Sequence, residues 1–308
     1  MYQKPTVPQS IGGVLDDTLQ LFKASLSKCV LPALLISVIT TSLSLFQLSR
    51  QPVATTPAAT FQAFVARYQS ASPSSFLLVL LSWLLELVFY GILIVIIADV
   101  SRGASPALGT SIATALKRLP AMVGASIVIF IVSIIGFGIA VVPVIVAAVR
   151  SRGGTPTEVL TAVGPMILLC LVLIFPVIYV LSRMQLFLVP LASEAQGPLR
   201  SIGISWRLVG GNWWRTATVV FILGIIVYIL IIVVSGLAGG IALMVAGVPA
   251  SATRAAGTVG LVEALMSGLI QVITAPLMAA LYVTLYQDLL LRKGGSDLEA
   301  RLGALPKG

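Results

Sequence analysis

Two charged residues stand inside long apolar runs: Glu86 in "LSWLLELVFY" and Arg183 in "VIYVLSRMQLFLVP". A charge at membrane depth is costly, and where it occurs it marks an ion pair, a relay or a transport pathway. Counting along uninterrupted spans puts both residues near mid-depth. A Glu86–Arg183 pair is therefore the sharpest local expectation, used for structure or for transport. The alternative for Arg183 is that its stem snorkels to the headgroups. A third group is "GPLRSIGISWRLVGGNWWRT", residues 197–216, with Arg200, Arg207, Arg215, Trp206, Trp213, Trp214 and the chain's single asparagine, Asn212. Arginine and tryptophan together suit a membrane–water interface, where an amphipathic ring and a phosphate partner lie at the same depth.

Other chemistry is excluded by residue type. There is no histidine, which removes histidine acid–base catalysis, Ser-His and Cys-His nucleophile pairs and imidazole metal sites. The two cysteines, Cys29 and Cys170, sit singly in apolar runs and behave as small hydrophobes. No GxxxxGK[ST], HExxH or CxxC occurs, and no acids cluster at metal-ligand spacing. No catalytic residue, metal or cofactor is expected. The glycines of "GLAGGIAL" (236–243) suit close helix packing in lipid.

Composition dictates the elements that position these residues. Of the 308 residues, 58% are hydrophobic and 9% charged, with a mean hydropathy of +1.08. A soluble domain uses about 25% charged residues. The expectation is an all-α integral membrane protein forming one domain over 1–308. Six runs are long enough to cross about 30 Å of hydrocarbon: 29–48, 76–98, 119–149, 163–191, 216–248 and 259–288, followed by a short tail, 289–308. Thirteen of the nineteen Lys and Arg residues fall on the side of the two termini, among them Lys117, Arg118, Arg200 and Arg207. The positive-inside rule makes that side cytoplasmic. The first 28 residues are polar and amphipathic, so the first span is expected to be an uncleaved anchor. Basic residues are scattered between spans, which gives no basis for nucleic-acid binding.

The segments before the first, third and fifth spans resemble one another. Each has a proline (Pro8, Pro106, Pro198), a Ser-Ile pair and a one-sided apolar stripe. The stripe before span five is Leu199, Ile202, Trp206 and Val209. These spacings predict an interfacial helix ahead of each odd-numbered span and suggest three loose repeats of interfacial helix plus two-span hairpin. Gly210-Gly211 is expected to end the third such helix through a left-handed exit, with Asn212 opening the next. In the outer loop, Phe61, Phe64, Val65 and Tyr68 share one helical face. Asp99, Glu194 and Asp288 close the even-numbered spans and can face the basic residues. Glu263 is expected near the outer interface.

The stretch containing Ser205, Trp206, Leu208 and Asn212 resembles the "S-W-x-L-x-x-x-N" helix of a bacterial inner-membrane superfamily. So does the tail containing Leu285, Tyr286, Asp288, Leu289, Arg292, Asp297 and Leu298. Its members are the YciC-like proteins and the membrane domain attached to some glycerophosphoryl diester phosphodiesterases. The resemblance implies a multi-pass inner-membrane protein. Catalysis in those diesterases belongs to a separate, histidine-dependent soluble domain, so no enzyme activity carries over. The expected function is non-enzymatic: binding of anionic membrane lipid, or of a partner membrane or envelope protein, through the basic Trp-rich interfacial helices. A small transporter or channel for a lipid-like substrate, using Glu86 and Arg183, is the alternative.

Overall fold

The computed structural model describes residues 2–48, 73–150, 155–246 and 252–303. The expectation for Phe61, Phe64, Val65 and Tyr68 lies outside them, as does that for the Glu263 side chain. Regular structure among the described residues is entirely helical: α1 (Ile11–Leu48), α2 (Pro73–Ser101), α3 (Leu108–Arg150), α4 (Pro156–Met184), α5 (Leu188–Glu194), α6 (Pro198–Gly210), α7 (Trp213–Ala246) and α8 (Ala252–Gly303). Six helical stretches are long and apolar enough to cross a membrane. Their outward faces are apolar: Phe130 on α3, Leu168 and Val172 on α4 and Phe221 on α7 are all more than 60% exposed. Such a surface is unfavourable in water at about 25 cal/mol per Å² and neutral against hydrocarbon.

Helix hydroxyls follow the same logic. Ser42, Ser82, Ser133 and Thr274 each donate to the carbonyl four residues back, at 2.7–3.1 Å. A hydroxyl turned onto its own helix leaves no unpaired donor facing an apolar medium.

The boundaries differ from the sequence expectation in three places. The first two amphipathic segments are not separate helices. Residues 11–28 run on into α1, and 108–119 into α3, because no glycine pair stands where the amphipathic part meets the apolar run; Gly12-Gly13 lies in the first turn of α1. Pro32 and Pro120 lie inside these helices, each at the cost of one backbone hydrogen bond. Only the third segment, α6, is a helix of its own. Second, the expected span 163–191 breaks: α4 stops at Met184, a turn follows, and α5 begins at Leu188. Third, the helix of the last expected span does not stop at 288, since α8 continues into the tail as far as Gly303.

The chain divides into two compact units. The first comprises Met1–Leu119 and Thr218–Asp288. Here α1 and α8 run antiparallel, fastened by polar contacts along their length. The Gln9 N–H donates to Asp288 Oδ1 (2.8 Å), and the Thr18 and Thr284 hydroxyls share a hydrogen bond (2.7 Å). Ser37 Oγ donates to the Gly268 carbonyl (2.6 Å) and Thr40 Oγ1 to Gln271 Oε1 (2.8 Å). Gly268 has to be glycine for this approach, because a Cβ there would meet Thr41 Oγ1 and, at 2.9 Å, Ser37 Oγ. On α2, Leu93, Ile94, Ile96 and Ile97 are buried, and Ser101 Oγ accepts from Gln287 Nε2 (2.8 Å).

The second unit comprises Pro120–Ala217 and Leu289–Gly308. A capping box opens α4: Thr155 Oγ1 accepts from the Glu158 N–H while Glu158 Oε2 accepts from the Thr155 N–H. Pro156, at the first helical position, loses nothing by lacking an N–H there. Gly136 of α3 packs against Val177 of α4, whose methyls lie 3.0 Å from where a Cβ would sit.

Gly268→Val should therefore lower thermal stability in detergent by the usual overpacking cost of about 1–3 kcal/mol. Gly236→Ala, where a Cβ meets nothing within 4 Å, should leave the melting temperature unchanged. Melting curves of the two variants beside the wild type check this, and equal losses would remove the α1–α8 contact as the cause.

Candidate functional site

The end of α4, the short α5, the amphipathic α6 and the first turn of α7 form an elbow around Arg183, all within the second unit. Arg183 lies in the last turn of α4, where the partial negative charge of the helix C-terminus favours a cation. Twenty-seven residues of helix precede it from Pro156, about 40 Å at 1.5 Å per residue. That distance exceeds the hydrocarbon thickness of about 30 Å. Arg183 thus stands at the C-terminal end of α4, and the apolar stretch Thr161–Glu194 continues past it through the turn at 185–187 and α5.

The guanidinium is held on three sides. Its carbon sits 4.0 Å from the centroid of the Trp206 ring and 5.5 Å from that of Tyr179. Nη2 donates to the Trp206 carbonyl (2.9 Å) and Nη1 to the Tyr179 hydroxyl (3.2 Å). Gly210 makes room for it, since a Cβ on that residue would collide with the guanidinium. This explains the glycine differently from the left-handed exit expected. Gly211 has φ −88°, in the ordinary helical region, so it is the close approach at Gly210 that needs the missing side chain.

Ser205 fastens the same corner. Its buried hydroxyl donates to the Arg183 carbonyl (2.8 Å) and accepts from the Leu186 N–H (3.1 Å), bridging the break between α4 and α5. A second cation reaches the end of α6, with Lys293 Nζ donating to the Arg207 carbonyl. Two positive groups thus meet carbonyls of the last turn of α6, where the helix dipole is negative.

Aromatic rings extend the elbow. Trp213 Nε1 donates to Ser182 Oγ. Its ring meets Phe175, Tyr179 and Trp214 edge-on, at centroid distances of 5.8, 5.1 and 4.4 Å. Trp214 is 70% exposed. The Asn212 carbonyl accepts from the Thr216 N–H (2.9 Å), opening α7.

The expected apolar stripe of α6 divides between two surroundings. Ile202 and Val209 are buried with Ser201, Ser205 and Leu208, and Trp206 is spent on Arg183. Leu199 remains 70% exposed, beside the exposed Arg200 and Arg207. Arg215 is half-buried at the start of α7. Two donors, Arg183 Nε and Gln185 Nε2, are buried without a hydrogen-bond partner among the described residues.

Glu86, Lys117 and Arg118 belong to the first unit. Glu86 is exposed at the middle of α2, and Lys117 and Arg118 lie on α3 ahead of Pro120. Sequence reasoning missed Tyr179 and Lys293 at this site, and named Ser205 and Gly210 only as part of a motif and as a helix end. Tyr179 stands one helical turn before Arg183, a signal that was available. Ser205, Gly210 and Lys293 come from segments that only folding brings together. The described residues contain no group of three or more His, Cys, Asp or Glu fit to hold a metal.

Residues 132–289 match the family described as Domain of unknown function (DUF7847), just over half of the chain. The chain belongs to the DUF7847 family. The matched segment takes in the whole elbow from Phe175 to Arg215, while Glu86, Lys117 and Arg118 precede it. No curated protein and no solved structure matches the chain.

Arg183→Lys should loosen the elbow, because an ammonium lacks the planar fork that donates to two acceptors while lying on a ring. The expected cost is about 1–3 kcal/mol, that of a cation–π contact plus a charged hydrogen bond. Gly210→Val should act the same way with Arg183 intact. Limited proteolysis around residues 185–197 reads both, and a cleavage rate unchanged from wild type would show that the guanidinium does not hold α6.

Proposed function

We propose that this is a non-enzymatic, multi-pass membrane protein that engages anionic phospholipid through the α6–α7 elbow. On this reading it lies in a bacterial inner membrane with both termini cytoplasmic. The YciC-like resemblance and the distribution of Lys and Arg support that location. The observation that carries the proposal is the two-faced character of α6. One face is packed onto its own unit; the other offers Leu199, Arg200 and Arg207, with Trp214 exposed at the start of α7.

Apolar and cationic groups side by side suit the headgroup layer, where each basic residue near the surface contributes about 1 kcal/mol toward anionic lipid. Arg183 Nε and Gln185 Nε2 supply buried donors that a headgroup or carbonyl oxygen would satisfy. The chain lacks histidine, and no nucleophile–base pair stands at the elbow. Transport through a Glu86–Arg183 pair has less support, because the Arg183 guanidinium is already committed to Tyr179 and Trp206.

Two measurements test this. First, the protein should stay with the membrane through alkaline carbonate washing and leave it in detergent. Second, lipid bound to the purified protein should be enriched in phosphatidylglycerol over phosphatidylethanolamine. Arg200→Ala/Arg207→Ala should cut that enrichment about fivefold to thirtyfold, the loss of roughly 1 kcal/mol per arginine. Lipids brominated near the headgroup should quench wild-type fluorescence more than that of Trp214→Phe. Unchanged enrichment in the double variant would sink the lipid reading, even for a protein firmly in the membrane.

A further inference from the structure

Glu86 lies outside the family match and far along the chain from the elbow, on a helix whose two ends are each about 20 Å away at 1.5 Å per residue. None of the described residues hydrogen-bonds or ion-pairs with it, and its side chain is exposed. The neighbours that α2 places around it are unusual. In an α-helix, positions i±3 and i±4 share a face. Around Glu86 these are Ser82, Trp83, Phe89 and Tyr90, all half-buried. The Ser82 hydroxyl is spent on the Leu78 carbonyl (2.8 Å). Three aromatic rings therefore frame one carboxyl, and Tyr90 also lies within electrostatic reach of Tyr282 on α8.

A carboxyl with no hydrogen-bond or ion-pair partner among the described residues, halfway along an apolar helix, calls for a ligand that brings positive charge into hydrocarbon. An inorganic cation is a poor match. Calcium wants six to eight oxygen ligands and magnesium a near-octahedral set, whereas this face offers one carboxylate. Aromatic faces instead attract an organic cation through their quadrupoles, and do so most strongly when it is desolvated. We propose that Glu86, with Trp83, Phe89 and Tyr90, forms an intramembrane binding site for a lipophilic organic cation. The carboxylate pairs with the charge, the rings pack on its substituents, and the exposed side of α2 is the route of entry from the bilayer. The site depends on α2 crossing a membrane but not on lipid binding at the elbow.

The probe is tetraphenylphosphonium, titrated by equilibrium dialysis into lipid nanodiscs holding the full-length protein. Carbonate washing beforehand selects membrane-integral protein, so failed insertion and failed binding are separate results. Saturable uptake approaching one probe per chain is expected. Glu86→Gln should weaken it about tenfold or more, the equivalent of 1.4 kcal/mol or above. Trp83→Leu/Tyr90→Leu should weaken it severalfold with Glu86 in place. The anion tetraphenylborate should not compete. Uptake that is unsaturable, or the same in wild type and Glu86→Gln, overturns the proposal.

A second arm uses wild-type protein alone, so a misfolded variant cannot blur the result. A hydrophobic carbodiimide should label Glu86, and saturating tetraphenylphosphonium should protect it, as read by peptide mass. Labelling of Glu86 at the same rate with and without the probe would equally reject the site.

Discussion

The six long apolar stretches of this chain bond their backbone N–H and C=O groups within their own helices, and the rest of the described structure is arranged around that constraint. With so few charged residues and apolar faces turned outward on α3, α4 and α7, there is no polar surface to solvate a bare strand edge or an open loop. Helices are the one local solution that bonds every backbone group within its own segment. The hydroxyls obey the same rule. Ser42, Ser82, Ser133 and Thr274 turn back onto carbonyls of their own helices, so even polar side chains present no unpaired donor outward.

The polar contacts that do cross between helices are correspondingly few and concentrated. Among the described residues of the first unit they lie along the α1–α8 seam and, through Ser101 and Gln287, between α2 and α8, where packing depends on close approach and hydrogen bonds. Gly268 allows the approach, and Ser37 and Thr40 use it. In the second unit they gather at the elbow, where one guanidinium takes the place of several weaker contacts. Arg183 stacks on Trp206, donates to its carbonyl and to Tyr179, and requires Gly210 to have no side chain. The elbow is therefore a packed junction held by contacts on several sides.

Arginine and tryptophan at the elbow do two jobs that the sequence alone does not separate. Trp206 and Trp213 are structural, one beneath the guanidinium and the other bonded to Ser182. Trp214 packs edge-on against Trp213 and is exposed. Arg183 is enclosed, whereas Arg200 and Arg207 are exposed on the outer side of α6. All carry the same signature of a basic, aromatic interfacial segment. Position after folding decides which of them can meet a headgroup.

Periodicity and composition were enough to read helical class, six apolar stretches and the proline opening of α6. These are local properties, set by side-chain hydropathy over a few turns. Whether an amphipathic stretch runs on into its span is also decided locally, yet the contrast between Gly210-Gly211 and the unbroken 23–32 became visible only in the fold. The end of α4 was not legible, because the turn at 185–187 stops a helix within one continuous apolar run. Tertiary structure alone decided what touches what: Lys293 on the end of α6, Ser205 across the α4–α5 break, Gly268 beneath Ser37. A sequence specifies the face a residue occupies through a 3.6-residue period, but which helix covers that face depends on contacts between segments tens to hundreds of residues apart, and no local pattern encodes those.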